Sequence, residues 1–247
     1  MRLVDLDDAT LAVHEWGPAT GPAVLFWHAL GPDASAGYFG PVAERLAAAG
    51  HRVVAVDGPG FGASPLLDEE RYALDSLAGL VQALVVRLEL EPLVVMGHSW
   101  GGAIAVRYTA AHPENVTGLV LLDSGHIDYG DLPGVDADRP VSDWVDEVRA
   151  RDGLLPEARG RAMHGLTARV SDAWPEIARH RIPTLLVLAT LPPHVDQNRE
   201  HVGRFQAAVP GAEVRWAENA GHGIVDDVGP PLGDEIAEWL AANVDKA

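Results

Sequence analysis

The chain contains no cysteine, which excludes disulfides, thiolate metal sites and a cysteine nucleophile. Basic residues are scarce: 18 Lys plus Arg stand against 36 Asp plus Glu, a net charge of -18. That balance opposes nonspecific binding to nucleic-acid phosphates and to anionic membranes, so neither is an expected partner. No apolar run approaches the roughly 18 residues of a membrane span, and residues 1–8 show no basic segment leading into an apolar one. The expectation is a soluble, cytoplasmic protein. Neither a G-x-x-x-x-G-K-[ST] phosphate loop nor an H-E-x-x-H zinc motif occurs, so no cofactor and no metal is implied.

What is present suits a packed core. Hydrophobic residues make up 47% of 247 against 22% charged, enough for a single domain over 1–247. Residues 2–6 and 10–16 alternate in character and read as an opening hairpin. Beyond them, short continuous apolar runs at 23–27, 52–56, 92–96 and 118–122, with two further strands that fit at 184–189 and 213–216, alternate with helical stretches near 40–49, 72–89, 99–111, 196–208 and 232–243. Runs of that kind suit strands covered on both faces. The alternation predicts an α/β fold with a mainly parallel sheet of about eight strands flanked by helices. Between Asp123 and Ile182 the strand pattern lapses, leaving amphipathic pieces near 141–151 and 156–180. An insertion of this length in a compact domain reads as a functional lid, here a helical cap over about 124–182.

Chemistry enters at Gly97-His98-Ser99-Trp100-Gly101, a G-x-S-x-G sequence. In such a motif the serine occupies a tight strand-to-helix turn that leaves its hydroxyl exposed above the sheet. A side chain at 97 or 101 would collide with neighbouring backbone, which is why glycine is needed there. Seven serines and 26 glycines would give about 0.08 such matches by chance. Here the match also falls between a predicted strand and a predicted helix. The competing reading is Ser99 as a helix N-cap.

With this motif the chain resembles the α/β-hydrolase superfamily over nearly its whole length. The resemblance includes His28-Ala29-Leu30-Gly31, the turn Asp57-Gly58-Pro59-Gly60-Phe61-Gly62-Ala63-Ser64, and Ala220-Gly221-His222. It implies Ser99 as nucleophile and a triad order of serine, acid, histidine. Among the seven histidines after Ser99, His222 follows the last predicted strand and matches the family's base. Many members carry the acid about nine residues beyond the proline matching Pro183, but that position here is Pro192. Some relatives carry it on the preceding strand, where Asp123 stands. Asp123 is the expected acid and Asp196 the alternative. The backbone N–H groups of Leu30 and Trp100 would form the oxyanion hole. The Asp57–Ser64 turn reads as structural. His28, Tyr129, Trp144, Met163, His164 and Trp174 are candidate pocket residues.

The resulting expectation is a serine hydrolase that cleaves a small to medium carboxylic ester or lactone through an acyl-enzyme. A thioesterase, a proline-iminopeptidase-like amidase and a C–C hydrolase remain open on the same triad, because fold does not fix substrate. A non-catalytic ligand-binding protein of this fold is the alternative of a different class. Oligomeric state has no signal in the sequence.

Overall fold

The computed structural model describes residues 1–31, 35–151 and 153–245. The opening hairpin pairs β1 (Arg2–Asp5) antiparallel with β2 (Thr10–Trp16), and β2 runs antiparallel to β4 (Arg52–Asp57). All further pairings are parallel: β4 with β3 (Ala23–Trp27), β3 with β5 (Leu93–His98), and then β6 (Val116–Leu122), β7 (Thr184–Ala189) and β8 (Glu213–Ala217) in turn. The order across the sheet is β1-β2-β4-β3-β5-β6-β7-β8. The eight-stranded, mainly parallel sheet expected from the apolar runs is therefore the one formed.

The runs are continuously apolar because successive side chains enter two different cores. Leu25 and Trp27 of β3 join Leu77 and Leu84 of α2 (Leu74–Leu88) and Ile104 and Tyr108 of α3 (Trp100–Ala111). Their neighbours Val24 and Phe26 join Leu46 of α1 (Gly40–Ala48) and Ile236 and Trp239 of α9 (Pro230–Asn243). At about 25 cal/mol per Å² of apolar surface removed from water, both layers contribute to holding the sheet, so neither face tolerates a polar alternation.

The chain reverses its direction of travel across the sheet at β3: β4 lies on one side of it and β5 on the other. Ligands of such sheets bind in the crevice at the carboxyl ends of the two strands flanking that switch. Leu30 follows β3 and Ser99 follows β5. Between β6 and β7 lie α4 (Val141–Arg151), α5 (Pro156–Gly165) and α6 (Trp174–His180), with 3-10 turns at Tyr129–Asp131 and Val170–Ala173. The amphipathic piece expected at 156–180 is thus broken. Gly165 packs so closely that a Cβ would stand 2.2 Å from the Tyr72 carbonyl oxygen, and Pro175 has no N–H to continue a helix from before it. After β7 come α7 (His194–Ala208) and, beyond β8, the short α8 (Ile224–Val228). Among the described residues no helix is long and apolar enough to cross a membrane.

Candidate active site

Ser99 is the single residue between β5 and α3 and takes φ 54°, ψ -115°. A non-glycine residue at positive φ is strained, and the flanking glycines make the bend possible. A Cβ at Gly97 would lie 2.1 Å from the Gly101 carbonyl oxygen, and one at Gly101 would lie 2.0 Å from that of Trp27. The Gly101 N–H in turn donates to the His28 carbonyl at 3.1 Å, fastening the loop after β3 to the start of α3.

His222 reaches this turn from the loop between β8 and α8. Its Nε2 lies 2.8 Å from Ser99 Oγ, and its Nδ1 lies 2.7 Å from Asp123 Oδ2. An ionised carboxylate only accepts, so Nδ1 carries the proton and donates to Asp123, leaving Nε2 to accept from the serine hydroxyl. Asp123 directly follows β6, at φ 46°, and is 5% exposed. Burial pushes its pKa up, but hydrogen bonds from His222, the Ala189 N–H and Asn198 outweigh this and hold it below the ordinary 3.8. The Ala189 N–H and Asn198 Nδ2 both donate to Oδ1, at 2.9 and 2.7 Å, leaving Oδ2 for the imidazole. The alternative acid Asp196 is exposed on α7, and Pro192 stands exposed in the turn before it.

Asn198 is a component that sequence reading missed. Its Nδ2 also donates to the Ala189 carbonyl at 3.2 Å, so its Oδ1 faces the other way and accepts from His126 Nε2 at 3.1 Å. His194, one helical turn earlier on α7, stacks on His222 with ring centroids 4.4 Å apart and planes 16° from parallel. Burial and the neighbouring His222 lower its pKa. Two polar residues four apart on one helix face were the available signal, since i and i+4 side chains project together.

On the side of β3, His28 is fully buried and its pKa falls to about 4, chiefly through burial. The Gly58 N–H donates to its Nε2 at 2.8 Å, so Nδ1 is the protonated nitrogen and donates to the Ala29 carbonyl at 2.7 Å. That bond fixes the Ala29–Leu30 peptide plane and turns the Leu30 N–H away from the His28 ring. Trp100 supplies a first-turn N–H of α3, a position with no intrahelical acceptor.

A cavity of about 270 Å³ opens over these groups, lined by Ser99, His222, Leu30, His194, Tyr129 and Met163 among others. Of the six candidate pocket residues, Tyr129 and Met163 line this cavity. Four other expected pocket residues are corrected. His28 is spent on the hydrogen bonds to Gly58 and Ala29 beneath the loop. Trp144 is buried within the inserted segment with Arg139 stacked over it. Trp174 is buried against Phe205 and donates Nε1–H to the Gly125 carbonyl at 2.9 Å. His164 is half-buried but does not line the cavity. The two tryptophans, being large and apolar, are taken up by packed cores before they can line a cavity. The Trp100 side chain likewise packs in the core against Trp27, His28 and Phe61.

Asp123, His194 and His222 bring three ligand atoms within 4.8 Å of one another. The set fits a metal poorly: both His222 nitrogens are engaged, and stacked rings aim their lone pairs side by side rather than at one point.

Comparison with known proteins agrees with this architecture. The sn-1-specific diacylglycerol lipase ABHD11 of Mus musculus is 27% identical over 91% of this chain and 83% of its own length. The putative carbamate hydrolase RutD of Variovorax paradoxus is 34% identical over 44% of this chain, a match spanning only 40% of that relative. Among solved structures, a carboxylesterase from Nitrososphaera gargenis superposes with a TM-score of 0.82 over 100% of both chains at 14% identity, a likeness of fold alone. The alpha/beta hydrolase fold matches residues 22–163, more than half of the sequence, and the chain belongs to that family.

Proposed function

We propose that this protein is a serine hydrolase acting on a small to medium carboxylic ester or lactone, with Ser99 as nucleophile, His222 as general base and Asp123 as the acid that orients it. One observation carries the reading: the unprotonated His222 Nε2 lies 2.8 Å from Ser99 Oγ while Nδ1–H is held at 2.7 Å by a buried carboxylate. Serine is a weak nucleophile until a base takes its proton during attack. Here the proton passes to Nε2 as Oγ bonds to the carbonyl carbon. The oxyanion that forms is met by the Leu30 and Trp100 N–H groups, a contribution of about 3–4 kcal/mol per donor in well-ordered sites. His222 then gives its proton to the leaving alkoxide, the acyl-enzyme remains, and a water deprotonated by the same nitrogen hydrolyses it and restores Ser99.

The segment 124–182 serves as the cap: Tyr129, Met163, Leu166 and Val170 from it face the cavity. A volume of about 270 Å³ favours a compact substrate. The reaction as written needs no cofactor. The test is a fluorophosphonate probe on wild type and Ser99→Ala, followed by turnover of matched p-nitrophenyl ester, thioester and aminoacyl-arylamide substrates. Wild type should label once and Ser99→Ala not at all, with the ester turned over fastest. Labelling that survives in Ser99→Ala would defeat the nucleophile, and a faster arylamide would defeat the ester class.

A further inference from the structure

Tyr38 and His98 take no part in the chemistry above, yet they lie between its two halves. His98 is the last residue of β5 and 4% exposed. Its Nε2 is 2.6 Å from the His222 carbonyl oxygen, which can only accept, so that nitrogen is protonated. Burial, reinforced by the neighbouring His222, lowers the His98 pKa to about 3 and keeps the ring neutral. Its Nδ1 is then a bare lone pair, 2.8 Å from the Tyr38 hydroxyl, and the phenol must be the donor. The Tyr38 oxygen in turn accepts the Ala29 N–H at 3.2 Å.

Each link therefore has one possible direction. The chain runs from the Ala29 N–H to Tyr38 Oη, from its O–H to His98 Nδ1, and from His98 Nε2–H to the His222 carbonyl. One end is the residue before Leu30, and the other is the backbone of the base. The need for such a tether lies in the loop that carries His222. Gly221 and Gly223 flank the histidine, Asn219 adopts φ 61°, and the His222 side chain is 36% exposed. The Asp123 contact holds the far side of the imidazole, and the main chain is held on either side at the Gly221 N–H, which donates to Asp227 Oδ2 at 2.7 Å, and at the Gly223 carbonyl, which accepts from the Asp226 and Asp227 N–H groups; the His222 carbonyl between them is held by His98.

We propose that Tyr38 and His98 are positioning residues that hold the oxyanion loop and the base loop in mutual register. This rests on the serine-hydrolase reading. A displacement of about 1 Å between reacting groups can cost about 100-fold in rate, so a two-side-chain link between loops nearly 200 residues apart in sequence has a direct effect on turnover.

The experiment uses the full chain and p-nitrophenyl butyrate, with active sites counted by fluorophosphonate so that rates refer to folded, reactive protein. Tyr38→Phe keeps the ring against Phe26 and removes only the hydroxyl. It should lower kcat per titrated site by about tenfold with KM within about twofold. His98→Leu should lose more. His98→Gln, which can still present an amide N–H near the former Nε2, should recover part of that loss. Tyr38→Phe combined with His98→Leu should be no worse than His98→Leu alone, because one chain is cut once. Independently of turnover, nitrogen NMR of histidine-labelled protein should find His98 neutral and protonated on Nε2. Unchanged kcat in Tyr38→Phe, additive losses, or an Nδ1-protonated His98 would each overturn the couple while leaving labelled Ser99 standing. A wild type that takes no fluorophosphonate would instead overturn the serine reading and the couple's catalytic purpose with it.

Discussion

β4 ends in an aspartate and β6 is directly followed by one, Asp57 and Asp123, exposed by 1% and 5%. At Asp57 both oxygens accept from main chain, Oδ1 the Ala36 N–H at 2.6 Å and Oδ2 the Ala63 N–H at 3.0 Å, and the His14 Nε2 stands farther off, 3.5 Å from Oδ1. Ser64 closes the same turn by donating to the Asp57 carbonyl at 2.6 Å and accepting the Ala12 N–H at 2.8 Å. At Asp123 main chain and Asn198 converge on one oxygen, and the second oxygen is left for the His222 imidazole. A buried carboxylate saturated by peptide groups is a fastener. One with an oxygen in reserve can orient a base.

The sharpest way to break that contrast is to neutralise each aspartate in turn. Asp123→Asn keeps the shape but offers His222 an amide that favours the wrong tautomer, and kcat should fall by about 10³- to 10⁴-fold, the scale known for such triads. Thermal stability should move little, and Asp196→Asn should turn over p-nitrophenyl esters at the wild-type rate. Retained activity in Asp123→Asn with collapse in Asp196→Asn would reverse the acid assignment. Asp57→Ala should behave oppositely. It strands the buried Ala36 N–H at about 1–3 kcal/mol and turns the part-buried Ala63 N–H over to water, a loss of roughly 2–12 °C in Tm for a chain of this size. Turnover per titrated site should stay within about threefold of wild type. A stable Asp57→Ala protein with collapsed turnover would show that the turn has a catalytic part.

The same pair of strand ends shows why some of the site was legible and some was not. Ser99 could be read because its neighbours are constrained by steric contact: only glycine fits at 97 and 101, and apolar runs on either side betray a buried strand and a helix. His222 could be read because one loop late in the chain carries it to the elbow. Asp123 was reached by finding Pro192 where a carboxylate was expected, followed by a choice between two strand ends. Asn198, His194 and Tyr38 gave no comparable signal, because their roles depend on which side chains meet across the sheet, and that is set by packing over long sequence separations. The cap residues failed for a related reason. Trp144 and Trp174 are large and apolar whether they face a substrate or a packed core, and composition alone does not distinguish the two.

The smallest expected effect is a pH dependence confined to Asp123. Its pKa in the folded protein lies below the ordinary 3.8 because His222, the Ala189 N–H and Asn198 favour the ionised form despite burial. A depressed folded pKa means that the unfolded chain binds more protons as pH falls past 3.8, so the stabilisation is complete above that value and is lost as pH drops through the folded one. The difference in unfolding free energy between wild type and Asp123→Asn, from urea titrations at a series of pH values, should therefore be flat from neutral pH to about one unit above the ordinary pKa and narrow below it. Other carboxylates titrate alike in both proteins and cancel in the difference, and a protonated Asp123 is nearly isosteric with asparagine. A difference that stays constant to the lowest pH would mean that the three donors only offset burial, and one that widens would mean that burial outweighs them; either result would overturn the donor set as the cause of a depressed Asp123 pKa.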